Sequence, residues 1–190
     1  MHNDITAIED AAEVLRVARR IVVFGCSGGG KSTFSQKLAR VIGVRYVSMD
    51  REVFWLPGWT SRARSEQRQL IAQIVAENHW IVDGNNPSSL DLRLPRADLV
   101  VWVRMPRWLC LWNIVKRGFV YRGKTRPEMA PGCLEQMPDW QFISYVWNFE
   151  RDDVPGFMEG IRRHGASVPV VQLKSRADMA RLLHRLDPAH

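Results

Sequence analysis

The sequence has no long apolar run. Nothing in its 190 residues approaches the roughly 18 consecutive apolar positions needed to span a bilayer. The opening residues, Met1 to Asp10, lack the basic start and apolar stretch of a secretory signal, so a cytoplasmic location is expected. Cysteine is scarce. Cys26, Cys110 and Cys133 are widely spaced and odd in number, which gives neither a disulfide framework nor a metal-binding pair. The five histidines are scattered without ligand spacing. There is no internal repeat and no low-complexity linker, so residues 1–190 read as a single domain. Acid is missing from one stretch: Leu99 to Pro127 has no Asp or Glu, yet it holds Arg104, Arg107, Lys116, Arg117, Arg122, Lys124 and Arg126.

What is present is ordinary for a folded protein, with 46% hydrophobic and 25% charged residues. The net charge of +7 suits anionic partners, whether nucleotides, nucleic acid or a membrane surface. Short apolar runs alternate with segments of helical period. Strands are expected at Ile21–Phe24, Arg45–Met49, Trp80–Val82, Leu99–Val103 and Ser167–Leu173. Helices are expected at Ile5–Arg19, Lys31–Ile42 (ended by Gly43), Arg62–Asn78, Trp108–Arg117, Trp140–Glu150, Val154–His164 and Arg176–Leu186. Gly118 to Pro138 reads as a mobile loop. The alternation implies an α/β fold, a parallel sheet covered on both faces.

Gly25-Cys26-Ser27-Gly28-Gly29-Gly30-Lys31-Ser32 fits the phosphate-loop pattern G-x-x-x-x-G-K-[ST] between an expected strand and an expected helix. Glycines let successive N–H groups ring a phosphate, and three in a row should make the loop flexible. Lys31 would reach the β- and γ-phosphates, and Ser32 would put its hydroxyl on Mg²⁺. The nucleotide-binding set is Gly25, Ser27, Gly28, Gly29, Gly30, Lys31, Ser32 and Thr33.

In a parallel sheet, ligands sit beyond the carboxyl ends of the strands. Asp50 and Asp83 end two apolar strands on the edge that carries the loop. Asp83 suits Mg²⁺, though Asp83-Gly84 is also a turn-forming pair. Asp50 suits proton acceptance from an attacking hydroxyl, or a helix cap. Phe54, Trp55 and Trp59 either line an acceptor pocket or pack a helix onto the sheet. Trp108 and Trp112, four residues apart, read as core rather than as a base-stacking platform.

These residues are joined by Met49-Asp50 with Phe54-Trp55-Leu56-Pro57-Gly58-Trp59, Trp80-Ile81-Val82-Asp83-Gly84-Asn85 and Leu90-Asp91-Leu92-Arg93. Pro106-Arg107-Trp108-Leu109-Cys110-Leu111-Trp112, Tyr121-Arg122-Gly123-Lys124-Thr125-Arg126-Pro127, Trp147-Asn148-Phe149 and Leu173-Lys174-Ser175-Arg176 continue the pattern. With them the chain resembles the bacterial DNA topology modulation protein family, a branch of the adenylate-kinase-like P-loop NTPases. The resemblance implies a three-layer fold with a five-stranded sheet in the order 2-3-1-4-5, an ATP·Mg²⁺ site, and a basic lid over residues 117–138. It implies that Arg117, Arg122 and Arg126 close over the phosphates and that Lys174 and Arg176 lie by the adenine. Asn85 stands where adenylate kinases have an aromatic residue followed by Pro-Arg, which argues against AMP as acceptor.

Two functions follow. One is a kinase moving the γ-phosphoryl group of ATP to a nucleoside, nucleotide or related small molecule. The other is a nucleotide-dependent DNA-binding or regulatory protein, which would show salt-sensitive duplex binding. The sequence contains no recognisable DNA-reading helix, which favours the first.

Overall fold

The computed structural model describes residues 4–187. In chain order its elements are β1 (Asp4–Ile5), α1 (Ile8–Val17), β2 (Arg20–Gly25), α2 (Lys31–Ile42) and β3 (Arg45–Ser48). A π-helical turn at Asp50–Phe54 leads to the hairpin β4 (Trp55–Leu56) and β5 (Thr60–Ser61). Then come α3 (Arg64–Ala76), β6 (Trp80–Asp83), α4 (Leu90–Arg93), β7 (Leu99–Val103) and α5 (Arg107–Val120). The chain continues with α6 (Trp140–Asp152), α7 (Val154–His164), β8 (Val170–Leu173) and α8 (Arg176–Leu186).

The large sheet runs β1-β8-β7-β2-β6-β3, with every neighbouring pair parallel. Its central strand shows why. Ile21, Val22, Val23 and Phe24 do not alternate with polar residues, because both faces of β2 are buried. Phe24 stacks on Phe157 of α7 at 4.5 Å between ring centroids. On one side of the sheet α8 packs against α1 and α2; on the other, α7 packs against α4 and α6. This is the expected α/β architecture with the expected order of five strands.

The sixth strand is the difference. Asp4 and Ile5 pair with Val170 and Val171 at the edge left open by β8, so the first helix starts at Ile8 rather than Ile5. A two-residue strand has no periodicity to betray it. Gly43 ends α2 as expected, with a left-handed φ of 68°.

Helix α5 continues past Arg117 to Val120, and Gly118 lets Met137 and Pro138 approach its backbone. The next stretch is not an open loop. Arg122 bridges to Glu135 and Thr125 to Leu134, and Met129, Ala130 and Cys133 form a small apolar cluster under Trp55 and Trp59. The α5 indoles also depart from expectation. Trp108 and Trp112 are 66% and 65% exposed, while Cys110 and Ile114 face the core.

Register places the ligand edge. Asp83 lies opposite both Val23 and Ser48, so β3 and β6 finish level with one another and β2 runs two residues further, to Gly25. The phosphate loop, Asp50 and Asp83 all emerge there.

Candidate functional site

The Gly25–Ser32 segment leaves β2 and turns into α2. Gly30 caps that helix in a left-handed conformation (φ 87°) and has no side chain to occupy the first N–H groups, which stay free for an anion. The Lys31 ammonium folds back on the Cys26 carbonyl at 3.1 Å. The loop is anchored from outside as well. The Gly25 N–H donates to Asn85 Oδ1 (3.0 Å), and Asn113 Nδ2 donates to the Gly28 carbonyl (2.7 Å).

The three glycines do more than confer flexibility. At Gly28 (φ +80°) a Cβ would lie 2.3 Å from the Cys110 carbonyl oxygen of α5. Gly28→Ala should therefore cost on the order of 1–3 kcal/mol in urea unfolding and displace the loop. Gly30→Ala should cost less, since nothing lies within 4 Å of its Cβ position. Equal losses for the two variants would refute the wedge against α5.

Asp83 is 3% exposed. Tyr46 donates its hydroxyl to Asp83 Oδ2 at 3.2 Å, while Oδ1 is buried without a partner. Burial holds the Asp83 carboxyl above the ordinary carboxylate range, against the pull of Lys31 and the Ser32 hydroxyl. An orphaned carboxylate oxygen beside a serine hydroxyl fits a hard divalent cation. Among the described residues no cluster of His, Cys, Asp and Glu could hold a metal by itself. A cation here would take its remaining ligands from a phosphate and water.

Asp50 begins the π-helical turn after β3 and is partly buried. Burial raises its carboxyl too, and Lys31, Arg126, the Trp55 indole and Arg117 work in the opposite direction. The two acids and Lys31 thus share one field at the sheet edge.

Behind them Arg93 is wholly buried. It donates to the Gly84 carbonyl (3.1 Å) and the Asn86 carbonyl (2.8 Å), so it fixes the turn after Asp83. Desolvation lowers its guanidinium to about 10. The Leu90–Arg93 motif was visible in the sequence, but this inward task was not.

The edge opens into a cleft of about 1450 Å³. It is lined by the phosphate loop, Asp50, Asp83, Asn85, Arg117, Arg126, Arg176 and a wall of aromatic residues. Phe54, Trp55 and Trp59 line it, and both indoles also pack on the Met129–Cys133 cluster. Arg176 donates to Asn113 Oδ1 at 2.8 Å, next to the phosphate loop.

Three expected residues stand apart, the first being Gly25, which is buried with its N–H on Asn85. Arg122 and Lys174 are exposed and do not line the cleft.

Glu135 was not anticipated. Its carboxylate accepts from Arg117 Nε at 2.6 Å and from Arg126 Nε at 2.7 Å, and Glu128 takes Arg126 NH1 at 2.9 Å. Burial and Arg126 lower the Arg117 guanidinium. At Arg126 burial is outweighed by Glu135 and Glu128, and the guanidinium is raised.

The architecture is shared with shikimate kinases. Shikimate kinase from Acinetobacter baumannii, in complex with shikimate, matches with a TM-score of 0.55 and 15% identity over 92% of this chain and 94% of that one. The enzyme from Bacteroides thetaiotaomicron matches with a TM-score of 0.56 and 14% identity over 90% and 97%. That from Aquifex aeolicus gives 0.52 and 14% over 88% and 92%. At these identities the likeness is one of fold. No protein-family model matches the chain, and no curated protein does. The resemblance to DNA topology modulation proteins therefore gains no support beyond the motifs. No helix among the described residues is long and apolar enough to cross a membrane.

Proposed function

We propose that the chain is a kinase that transfers the γ-phosphoryl group of ATP to a hydroxyl of a small molecule. The observation that carries this reading is the convergence of Lys31, Asp50 and the orphaned Asp83 oxygen at one end of the cleft. Free N–H groups at the start of α2 suit the phosphates, with Gly25, Ser27, Gly28, Gly29, Gly30 and Thr33 as the rest of the cradle. Ser32 and Asp83 suit Mg²⁺, which when bound with the triphosphate offsets charge on the β- and γ-oxygens.

Asp50 accepts the hydroxyl proton as the acceptor oxygen bonds to the γ-phosphorus. The bond from phosphorus to the β–γ bridging oxygen breaks, and ADP leaves with that electron pair. Lys31 offsets the charge that builds on the phosphoryl oxygens.

Residues 117–138 act as a lid in this reading. Arg117 and Arg126 must exchange Glu135 for the phosphates, and Arg122 must swing in from the surface. Arg176, with Lys174 beside it, places the base of the nucleotide near α8. A guanine nucleotide would use the same phosphate contacts, so competition between ATP and GTP reads the preference.

The test is ADP release from ATP·Mg²⁺ across nucleosides, nucleotides and small hydroxylated metabolites. Acceptor-dependent release with a phosphorylated product supports the kinase. Tight ATP binding without release for any acceptor counts against it. The DNA-binding alternative draws nothing from the structural neighbours, and a gel shift at physiological salt is expected to show no duplex binding.

A further inference from the structure

We infer that the acceptor is an uncharged or cationic alcohol bearing a flat ring, and that molecules with a carboxylate or phosphate group are disfavoured in its pocket. The inference rests on the kinase reading and narrows its substrate class.

Charge is the first argument. An anionic acceptor needs a cation beyond those that the triphosphate occupies, and the cleft offers five in all, Lys31, Lys37, Arg117, Arg126 and Arg176. Lys31 folds onto the phosphate loop at the Cys26 carbonyl. Arg176 is held by Asn113, the side chain that also grips Gly28 in the phosphate loop. Lys37, on α2 one turn beyond Thr33, is exposed and also lines the cleft.

That leaves Arg117 and Arg126, and both are bound to Glu135, with Glu128 as a second partner for Arg126. Arg117 also lies over the Phe142 ring, 5.8 Å from its centroid. Over the whole cleft five carboxylates, Asp50, Asp83, Glu128, Glu135 and Asp139, match the five cations Lys31, Lys37, Arg117, Arg126 and Arg176, so there is no positive surplus before the triphosphate enters. Once the arginines turn to ATP, Glu128 and Glu135 are left facing the cleft and the balance becomes negative. In the nucleotide-loaded cleft an incoming anion meets like charge, and a cation meets its opposite.

The walls supply the second argument. After Asp50 the chain presents Phe54, Trp55 and Trp59, with the two indoles edge-to-face at 5.4 Å. Trp59 takes a left-handed backbone conformation (φ 61°), rare for an aromatic residue, and its indole N–H donates to the Leu134 carbonyl at 2.9 Å. From α6, Phe142 and Tyr145 stack at 6.0 Å, and Asn85 donates to the Tyr145 hydroxyl at 3.2 Å. Rigid aromatic surfaces with few free polar groups suit a planar ring. Asp50 lines the same cleft beside the Trp55 indole and can receive a hydroxyl proton.

Three para-substituted benzylic alcohols of one shape test this: benzenedimethanol, (aminomethyl)benzyl alcohol and (hydroxymethyl)benzoate. Binding is followed by ligand NMR on the whole protein loaded with Mg²⁺ and a non-hydrolysable ATP analogue. The neutral and cationic compounds should bind at least about tenfold more tightly than the benzoate. Glu128→Gln, an exchange at a partly buried carboxylate, should narrow that gap severalfold. Benzoate binding as tight as the others overturns the charge argument, and binding by none of the three overturns the flat-ring pocket. In both cases the loaded nucleotide leaves the kinase reading intact. Failure of the nucleotide analogue itself to bind would remove that reading and this inference with it.

Discussion

Asp50→Asn lowers phosphoryl transfer to the acceptor by about 10²–10⁴-fold, the range for loss of a general base, while ATP·Mg²⁺ binds almost as before. The exchange keeps the shape and removes the proton-accepting charge. Asp50 reaches the cleft only because β3 ends in a tight π-helical turn, which swings the carboxylate over the sheet edge where Lys31 lies. Burial raises its carboxyl above the ordinary value of about 3.9. The base form is therefore depleted at a higher pH than for a free carboxylate, and the acid limb of kcat/KM should fall above that value. The limb should vanish in Asp50→Asn. Transfer at the wild-type rate by this variant would remove Asp50 from the chemistry and leave it as a structural residue of the turn.

Asp83→Asn has opposite effects on activity and on stability. With its Mg²⁺ ligand weakened, magnesium-dependent transfer should fall by about 10²–10³-fold, comparable to the loss of one strong electrostatic contact in an active site. Without nucleotide and metal, the variant should be more stable than the wild type at neutral pH. Burial raises the Asp83 carboxyl in the folded state, so folding favours its protonated form. The stability it contributes is fully present below the unfolded-state value of about 3.9 and is lost as pH rises through the higher folded value. Asparagine removes that cost and still offers Tyr46 an acceptor oxygen. Thermal unfolding in a chelator from pH 4 to pH 8 reads the difference. A variant less stable than wild type across that range would mean that the carboxylate serves the fold rather than a cation. Stability given up at a functional position is a common trade in enzymes.

Much of this site is written locally. The phosphate loop is a contiguous pattern, and the strands around it are short apolar runs that stop at an acid, so Lys31, Ser32, Asp50 and Asp83 were recognisable in one dimension. The strand positions followed from the same alternation and their order from the family resemblance, apart from Asp4–Ile5, whose two residues carry no period and whose pairing depends on a strand more than 160 residues away.

Glu135 was missed for a physical reason. It meets Arg117 and Arg126 only because the intervening chain doubles back through the Arg122 and Thr125 bridges, which no spacing rule foretells. Trp108 and Trp112 show the limit of periodicity. Four-residue spacing says that two side chains share a helix face, but not that Cys110 and Ile114 take the inner one. Nothing in the sequence marks Arg93 for burial. Its burial makes sense only beside the Gly84 and Asn86 carbonyls that it satisfies.

The most direct test of the central claim is calorimetric titration of ATP, with and without Mg²⁺, into the wild-type chain and Lys31→Ala. The loop geometry predicts saturable, magnesium-enhanced binding to the wild type and binding weaker by at least about tenfold in the variant, which loses a charge-assisted contact to the phosphates. Equal affinity in the two proteins, or no binding by either, would contradict it.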